Sequence, residues 1–197
     1  MSVTVVPPLS IDLGTGLLAG ATQIDSPNQD ARPPGASLDL IVLHGISLPP
    51  GEYGGAWVEA LFTNRLPPEE HPFFKSIEGL RVSAHLYIRR DGRIVQFVPF
   101  HSRAWHAGAS VWAHRLACND FSIGIELEGC DEGPYETAQY VALHAAIDAL
   151  ERAYSSLRGA PIVGHSDIAP GRKTDPGPYF DWTRLRQLRL GLAAERT

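Results

Sequence analysis

No stretch of this 197-residue sequence approaches the roughly 20 consecutive apolar residues that cross a bilayer. An excess of positive charge is missing as well. Seventeen Lys and Arg stand against 22 Asp and Glu, a formal charge of −5, which argues against a nucleic-acid-binding face and leaves room only for a local basic pocket. Cysteine is scarce. Cys118 and Cys130 cannot make a disulfide framework and are read as reduced, half-buried thiols. Met1 to Gly20 holds no Lys or Arg and is broken by Pro7, Pro8, Gly14 and Gly16, so it lacks the basic start and unbroken apolar stretch of a secretory signal. The expected location is the cytoplasm, with neither membrane nor nucleic acid as partner. The short catalytic signatures are absent too: no His-Glu-x-x-His, no Cys-x-x-Cys, no P-loop and no G-x-S-x-G elbow. Gly14-Thr15-Gly16-Leu17-Leu18-Ala19 has the letters of a dinucleotide fingerprint, but no convincing strand precedes it.

What is present suits one globular domain. At 44% hydrophobic and 20% charged, the composition supports a sizeable core. Residues 1–15 read as a loose N-terminal extension, and residues 16–197 as the domain. Leu38 to Leu43 is a short apolar run, expected to be a buried strand that ends in His44 and a Pro/Gly loop. Short helices are expected around Ala56–Phe62 and Phe73–Leu80. Ala84–Arg89 and Arg93–Val98 flank Arg90-Asp91-Gly92, which predicts a hairpin with a type I′ turn. Phe121 to Glu128 alternates, with Ile123, Ile125 and Leu127 on one face and Gly124, Glu126 and Glu128 on the other. Tyr140, Leu143, Ile147, Leu150 and Tyr154 form the stripe of a helix over about Glu136–Tyr154, and a last helix starts near Asp181. The pattern predicts an α+β fold: a mixed central β-sheet flanked by helices.

The segment from Gly164 to Pro178 carries the most chemistry. It holds His165, Asp167, Arg172, Lys173 and Asp175 among three prolines and three glycines, a composition that fixes side-chain directions rather than filling a core. With no short-spaced zinc motif, a metal site must be assembled from distant segments. His44, His165 and Asp175 make a suitable trio for a catalytic zinc, which takes three protein ligands and keeps one position open. The alternative is that each histidine is a surface or hydrogen-bonded core residue. Glu126, a carboxylate on a strand built for burial, is the candidate general base; the alternative is a solvated glutamate. Glu128 is a weaker candidate for the same role. Lys173 is either an oxyanion-stabilising cation or an exposed loop lysine. His85 and His106 read as pocket-wall or structural histidines, His144 as solvated, and His71 and His101 as loop residues.

Five segments together resemble one family: His44 to Gly55, Arg81 to His85, Arg103 to Gly108, Cys118 to Gly129, and the Gly164–Pro178 loop. They are similar to the 1,6-anhydro-N-acetylmuramyl-L-alanine amidases of the AmpD type, within the zinc amidases that include phage lysozyme-like amidases and peptidoglycan recognition proteins. The likeness runs in order from about Gly16 to Trp182. It implies a peptidoglycan-recognition-protein-like fold and hydrolysis of an anhydro-muropeptide in cell-wall recycling. It implies Zn²⁺ held by His44, His165 and Asp175, with Glu126 as base and Lys173 as transition-state stabiliser. It also implies that Arg81, Ala104 and Trp105 contact a small muropeptide substrate. Two positions depart from the pattern: Gly45 stands where Asn is common and Ala117 where Arg is common, with Arg115 two residues earlier as a substitute. An amidase acting on intact cell wall and a non-catalytic muropeptide-binding module are the competing readings.

Overall fold

β-branched and aliphatic residues dominate two seven-residue runs, Leu40–Ile46 and Ser122–Glu128, and these lie side by side at the centre of the sheet. The structure is a computed structural model and describes residues 8–191. Its main sheet has six strands: β1 (Thr22–Gln23), β2 (Leu40–Ile46), β3 (Leu86–Ile88), β4 (Ile94–Gln96), β5 (Ser122–Glu128) and β6 (Ile162–Gly164). Their spatial order is β6-β2-β5-β3-β4-β1. The first four in that order are parallel, β4 runs antiparallel to β3, and β1 runs parallel to β4. The sheet is therefore mixed, as the sequence predicts. Ile11–Asp12, within the expected extension, pairs with Leu17–Leu18 in a small hairpin, and residues 1–7 lie outside the described part.

One face of the sheet carries Ile41, Leu43, Ile123, Ile125 and Leu127 and buries them against a helix. That helix is the long one predicted from its stripe. Trp57–Phe62 (α1) and Pro72–Ser76 (α2) precede it, Thr137–Ala153 (α3) is the long helix itself, and His165–Ile168 (α4) and Trp182–Arg189 (α5) follow. Tyr140, Leu143, Ile147 and Leu150 of α3 are all buried in that cluster. Gln139 fastens the start of α3: its side-chain oxygen accepts from the Glu136 amide at 2.9 Å, and its Nε2 donates to the carbonyls of Ile88 and Glu128. Truncating Leu127 to Ala in this fully buried layer is expected to lower unfolding free energy by about 2–5 kcal/mol. Urea titration by circular dichroism measures it; a loss under 1 kcal/mol would contradict the packing.

One expectation needs correction, and one of the two readings left open for Glu126 falls. The Asp91-Gly92 turn is not type I′, because only Gly92 has positive φ; Arg89 and Arg93 close a three-residue loop with glycine in the left-handed position. The polar face of β5 is not solvated: all seven residues are buried. β5 lies between two neighbours, and the chain around residues 104–107 crosses that face. A Cβ built at Gly124 would stand 2.3 Å from the His106 ring, so the glycine leaves the slot that the imidazole fills.

Candidate metal centre and catalytic cavity

The sheet register sets the first pair of groups. In the parallel β2/β5 ladder His44 lies directly opposite Glu126, so both point to the same side at neighbouring-strand spacing. β6 pairs on the other side of β2, and its end delivers His165 at the first position of α4. The loop after α4 returns Asp175 to the same place, with Ser166 N–H donating to the Asp175 carbonyl at 3.0 Å and Tyr135 Oη donating to the Pro176 carbonyl at 2.9 Å.

Three donor atoms meet there. His44 Nδ1 is 2.9 Å from His165 Nδ1 and 3.2 Å from Asp175 Oδ2, and the last two are 3.1 Å apart. Among the described residues this is the one His/Cys/Asp/Glu group so clustered that it can hold a metal ion. The donor set and spacing fit zinc. Bonds of 2.0–2.1 Å at the tetrahedral angle put ligand atoms about 3.3 Å apart, and two imidazoles with one carboxylate form a common catalytic set. Burial depresses the pKa of His44 to about 4, so its imidazole is neutral and able to ligate at neutral pH. Burial alone would raise Asp175, but the His165 and His44 imidazoles packed against its Oδ2 outweigh it and hold the carboxyl well below its usual range.

A cavity of about 510 Å³ opens beside this group, lined in part by His106, Glu126, His165, Lys173 and Asp175. Glu126 is 8% exposed, and its Oε2 is buried with no hydrogen-bond partner. Burial, reinforced by Asp175 and opposed by Lys173, pushes its pKa well above the ordinary 4.5. An unsatisfied buried carboxylate oxygen weakens a fold, and its presence at a cavity wall makes Glu126 a candidate for chemistry. Lys173, exposed in the Pro/Gly loop, lines the same cavity. Glu128, two residues along, does a different job: its oxygens accept from the backbone N–H groups of Gly54 and Arg90 and tie two loops to the sheet.

Other residues singled out in the sequence fall as follows. Arg81 lines a smaller neighbouring cavity that shares Leu61, Ile77 and Leu80 with the main one. Ala104 is buried in a short strand, Trp105 is half-buried, and neither lines the main cavity. Arg115 reaches away, onto Asp39 at 2.7 Å and over the Phe121 ring. The space beside Gly45 is taken by Tyr135, whose hydroxyl oxygen stands 2.2 Å from where a Cβ would be. His85 is fully buried and accepts from Gly124 N–H at 3.0 Å, and His71 caps α2 by accepting from Phe73 N–H. His144 is half-buried rather than solvated, since α5 packs near its helix. Both cysteines are free thiols, Cys118 buried and Cys130 at the cavity rim. The sequence assigned no role to Asn119, whose Oδ1 accepts from the amides of His106 and Ala107, or to Arg172, whose guanidinium donates to the carbonyls of Ala107 and Ala109. Both lie in segments that the resemblance covers, but no local pattern tells which backbone groups they hold.

Residues 34–178 match the family described as N-acetylmuramoyl-L-alanine amidase. The chain is 56% identical over 176 residues to the 1,6-anhydro-N-acetylmuramyl-L-alanine amidase AmpD of Escherichia coli (strain K12), covering 89% of this chain and 96% of that one. A crystal structure of a selenomethionine AmpD derivative superposes with a TM-score of 0.87 at 54% identity, covering 90% of this chain and 98% of the other. The complex of the E. coli N-acetylmuramyl-L-alanine amidase AmiD with the substrate anhydro-N-acetylmuramic acid-L-Ala-D-γ-Glu-L-Lys aligns with a TM-score of 0.56 at 30% identity, covering 79% of this chain and 60% of AmiD. Among the described residues no helix is long and apolar enough to cross a membrane.

Proposed function

The chain belongs to the N-acetylmuramoyl-L-alanine amidase family, and from that premise we propose that it hydrolyses the amide joining the lactyl group of 1,6-anhydro-N-acetylmuramic acid to L-alanine in peptidoglycan recycling. The observation that carries the chemistry is the pairing of a donor triangle with an unpartnered carboxylate on the adjacent strand. His44, His165 and Asp175 are the residues to hold a zinc ion, and residues 16–197 are the domain that carries them. Bound zinc supplies Lewis acidity toward the scissile carbonyl and the attacking water. Glu126 takes a proton from that water as its oxygen bonds the lactyl carbonyl carbon, then delivers it to the alanine nitrogen as the C–N bond breaks. Lys173 faces the negative charge that builds on the carbonyl oxygen. Arg81, in the adjoining hollow, suits a stem-peptide carboxylate, and Trp105 with Ala104 suits the sugar side. Two free thiols suit a reducing compartment, which supports a cytoplasmic reaction.

Incubating the zinc-loaded protein with anhydro-muramyl peptides, with and without chelator, and weighing the products tests the reading. Release of the free peptide and the anhydro-sugar is expected, and intact sacculi should be cleaved far more slowly. Products from another bond, or none, would overturn it. Lys173→Ala is expected to lower kcat about 10²–10³-fold with zinc content unchanged, as loss of an oxyanion donor does. Parallel kinetics and metal analysis check it; zinc loss in this variant would make Lys173 a support of the metal site instead.

A further inference from the structure

His106 is fully engaged yet has no part in the chemistry above. Its Nδ1 lies 2.9 Å from His44 Nε2, and its own Nε2 lies 3.1 Å from Ser122 Oγ. Ser122 Oγ in turn lies 2.6 Å from the Cys118 carbonyl oxygen. That chain has a fixed direction. A carbonyl only accepts, so the single hydroxyl hydrogen of Ser122 points to Cys118 and its oxygen accepts from His106 Nε2–H. A neutral imidazole carries one hydrogen, so His106 Nδ1 is a lone pair and accepts from His44 Nε2–H. His44 Nδ1 is then left as a lone pair, facing His165 Nδ1 and Asp175 Oδ2.

We propose that His106 is a positioning residue for His44: with Ser122 it relays the polarity of the Cys118 carbonyl and locks His44 in the Nε2–H tautomer, the one able to ligate through Nδ1. The inference rests on the reading of His44, His165 and Asp175 as zinc ligands. Independent features of the fold serve the relay. Gly124 leaves the space in which the His106 ring sits, and Asn119 clamps the backbone amides of His106 and Ala107. The clamped Ala107 carbonyl lies 3.1 Å from His165 Nε2 and offers the second ligand the same kind of acceptor. His44, His106 and Ser122 are all buried, so water does not compete for these bonds.

Two substitutions at 106 separate relay from packing. Leu keeps bulk and removes the acceptor; Asn keeps an acceptor oxygen near the place of Nδ1. In the zinc-free wild-type protein at neutral pH, long-range ¹H–¹⁵N correlation is expected to show His44 as the Nε2–H tautomer. In His106→Leu that preference should be lost, and competition with a chromophoric chelator should show zinc affinity about 10–100-fold weaker. His106→Asn should recover most of both. Wild-type affinity with an unchanged His44 tautomer in His106→Leu would overturn the proposal, and so would an Asn variant as impaired as Leu, since packing would then explain the loss. Should His106→Leu fail to fold, Ser122→Ala is read the same way: a partial shift toward Nδ1–H with weaker zinc is expected, and no change in either refutes the relay. Failure of the zinc reading looks different, because the wild-type protein would then bind no zinc while the tautomer in the zinc-free state still decides the relay.

Discussion

Glu126→Gln is expected to lower kcat/KM for anhydro-muramyl peptides by about 10²–10⁴-fold while leaving zinc content intact. Gln keeps the shape of the side chain and removes its ability to carry the proton. The same substitution should raise stability in the zinc-free protein. Burial holds the folded pKa of Glu126 above 4.5, so the folded state favours the protonated form. The associated stability is full below the unfolded pKa and is lost as pH rises through the folded one, so the carboxyl costs more at neutral pH than in acid. Replacing it with a neutral amide removes the cost of ionisation, so the variant is expected to be the more stable protein at neutral pH. Denaturant titration at neutral pH and at pH 4 measures the difference, which should shrink at the lower pH. The pH sign for activity follows the same logic: the base form disappears as pH falls, so an acid limb is expected in the wild type. A Glu126→Gln enzyme with full activity would remove Glu126 from the mechanism. One that lost its zinc would mean that the glutamate supports the metal rather than the proton transfer.

Removing the metal should be as damaging. A Lewis acid at the carbonyl supplies several kcal/mol, and at 1.4 kcal/mol per factor of ten this is at least about 10³-fold in rate. Dialysis against a chelator is expected to abolish turnover and added zinc to restore it, with little change in circular dichroism, because His44 sits on a sheet formed by packing and the loop that carries Asp175 is tied down by hydrogen bonds of its own. Asp175→Ala should have the same kinetic effect without rescue by stoichiometric zinc. Its carboxylate supplies the one negative charge beside the two histidine Nδ1 atoms, so its loss leaves two imidazoles and no anion. Full activity in the presence of chelator, with metal analysis confirming that zinc is gone, would sink the metal-dependent reading.

The hairpin, the long helix and the alternation of β5 were legible because periods of 2.0 and 3.6 are local properties of side-chain direction. His44 at a strand end, Glu126 on an apolar strand, and a Pro/Gly loop with His165, Lys173 and Asp175 were legible as candidates for the same reason. What local pattern cannot carry is which distant segments become neighbours. The register that sets Glu126 opposite His44 is a property of strand pairing, and it turned a glutamate that reads equally well as solvated into a buried one with an unpartnered oxygen. Gly124 read as a plain member of the polar face until the His106 ring was found in its place.

The sequence by itself therefore determined the kind of fold, the residue types available for chemistry and the stiffness of the loop that holds two ligand candidates. Tertiary structure alone decided that His44, His165 and Asp175 meet within about 3 Å, that Glu128 ties loops while Glu126 faces the cavity, and that His106 stands behind His44. The physical reason is range. Propensity and periodicity act over a few residues, whereas a metal centre built from positions 44, 165 and 175 exists only once the burial of both faces of one sheet has fixed the strand order.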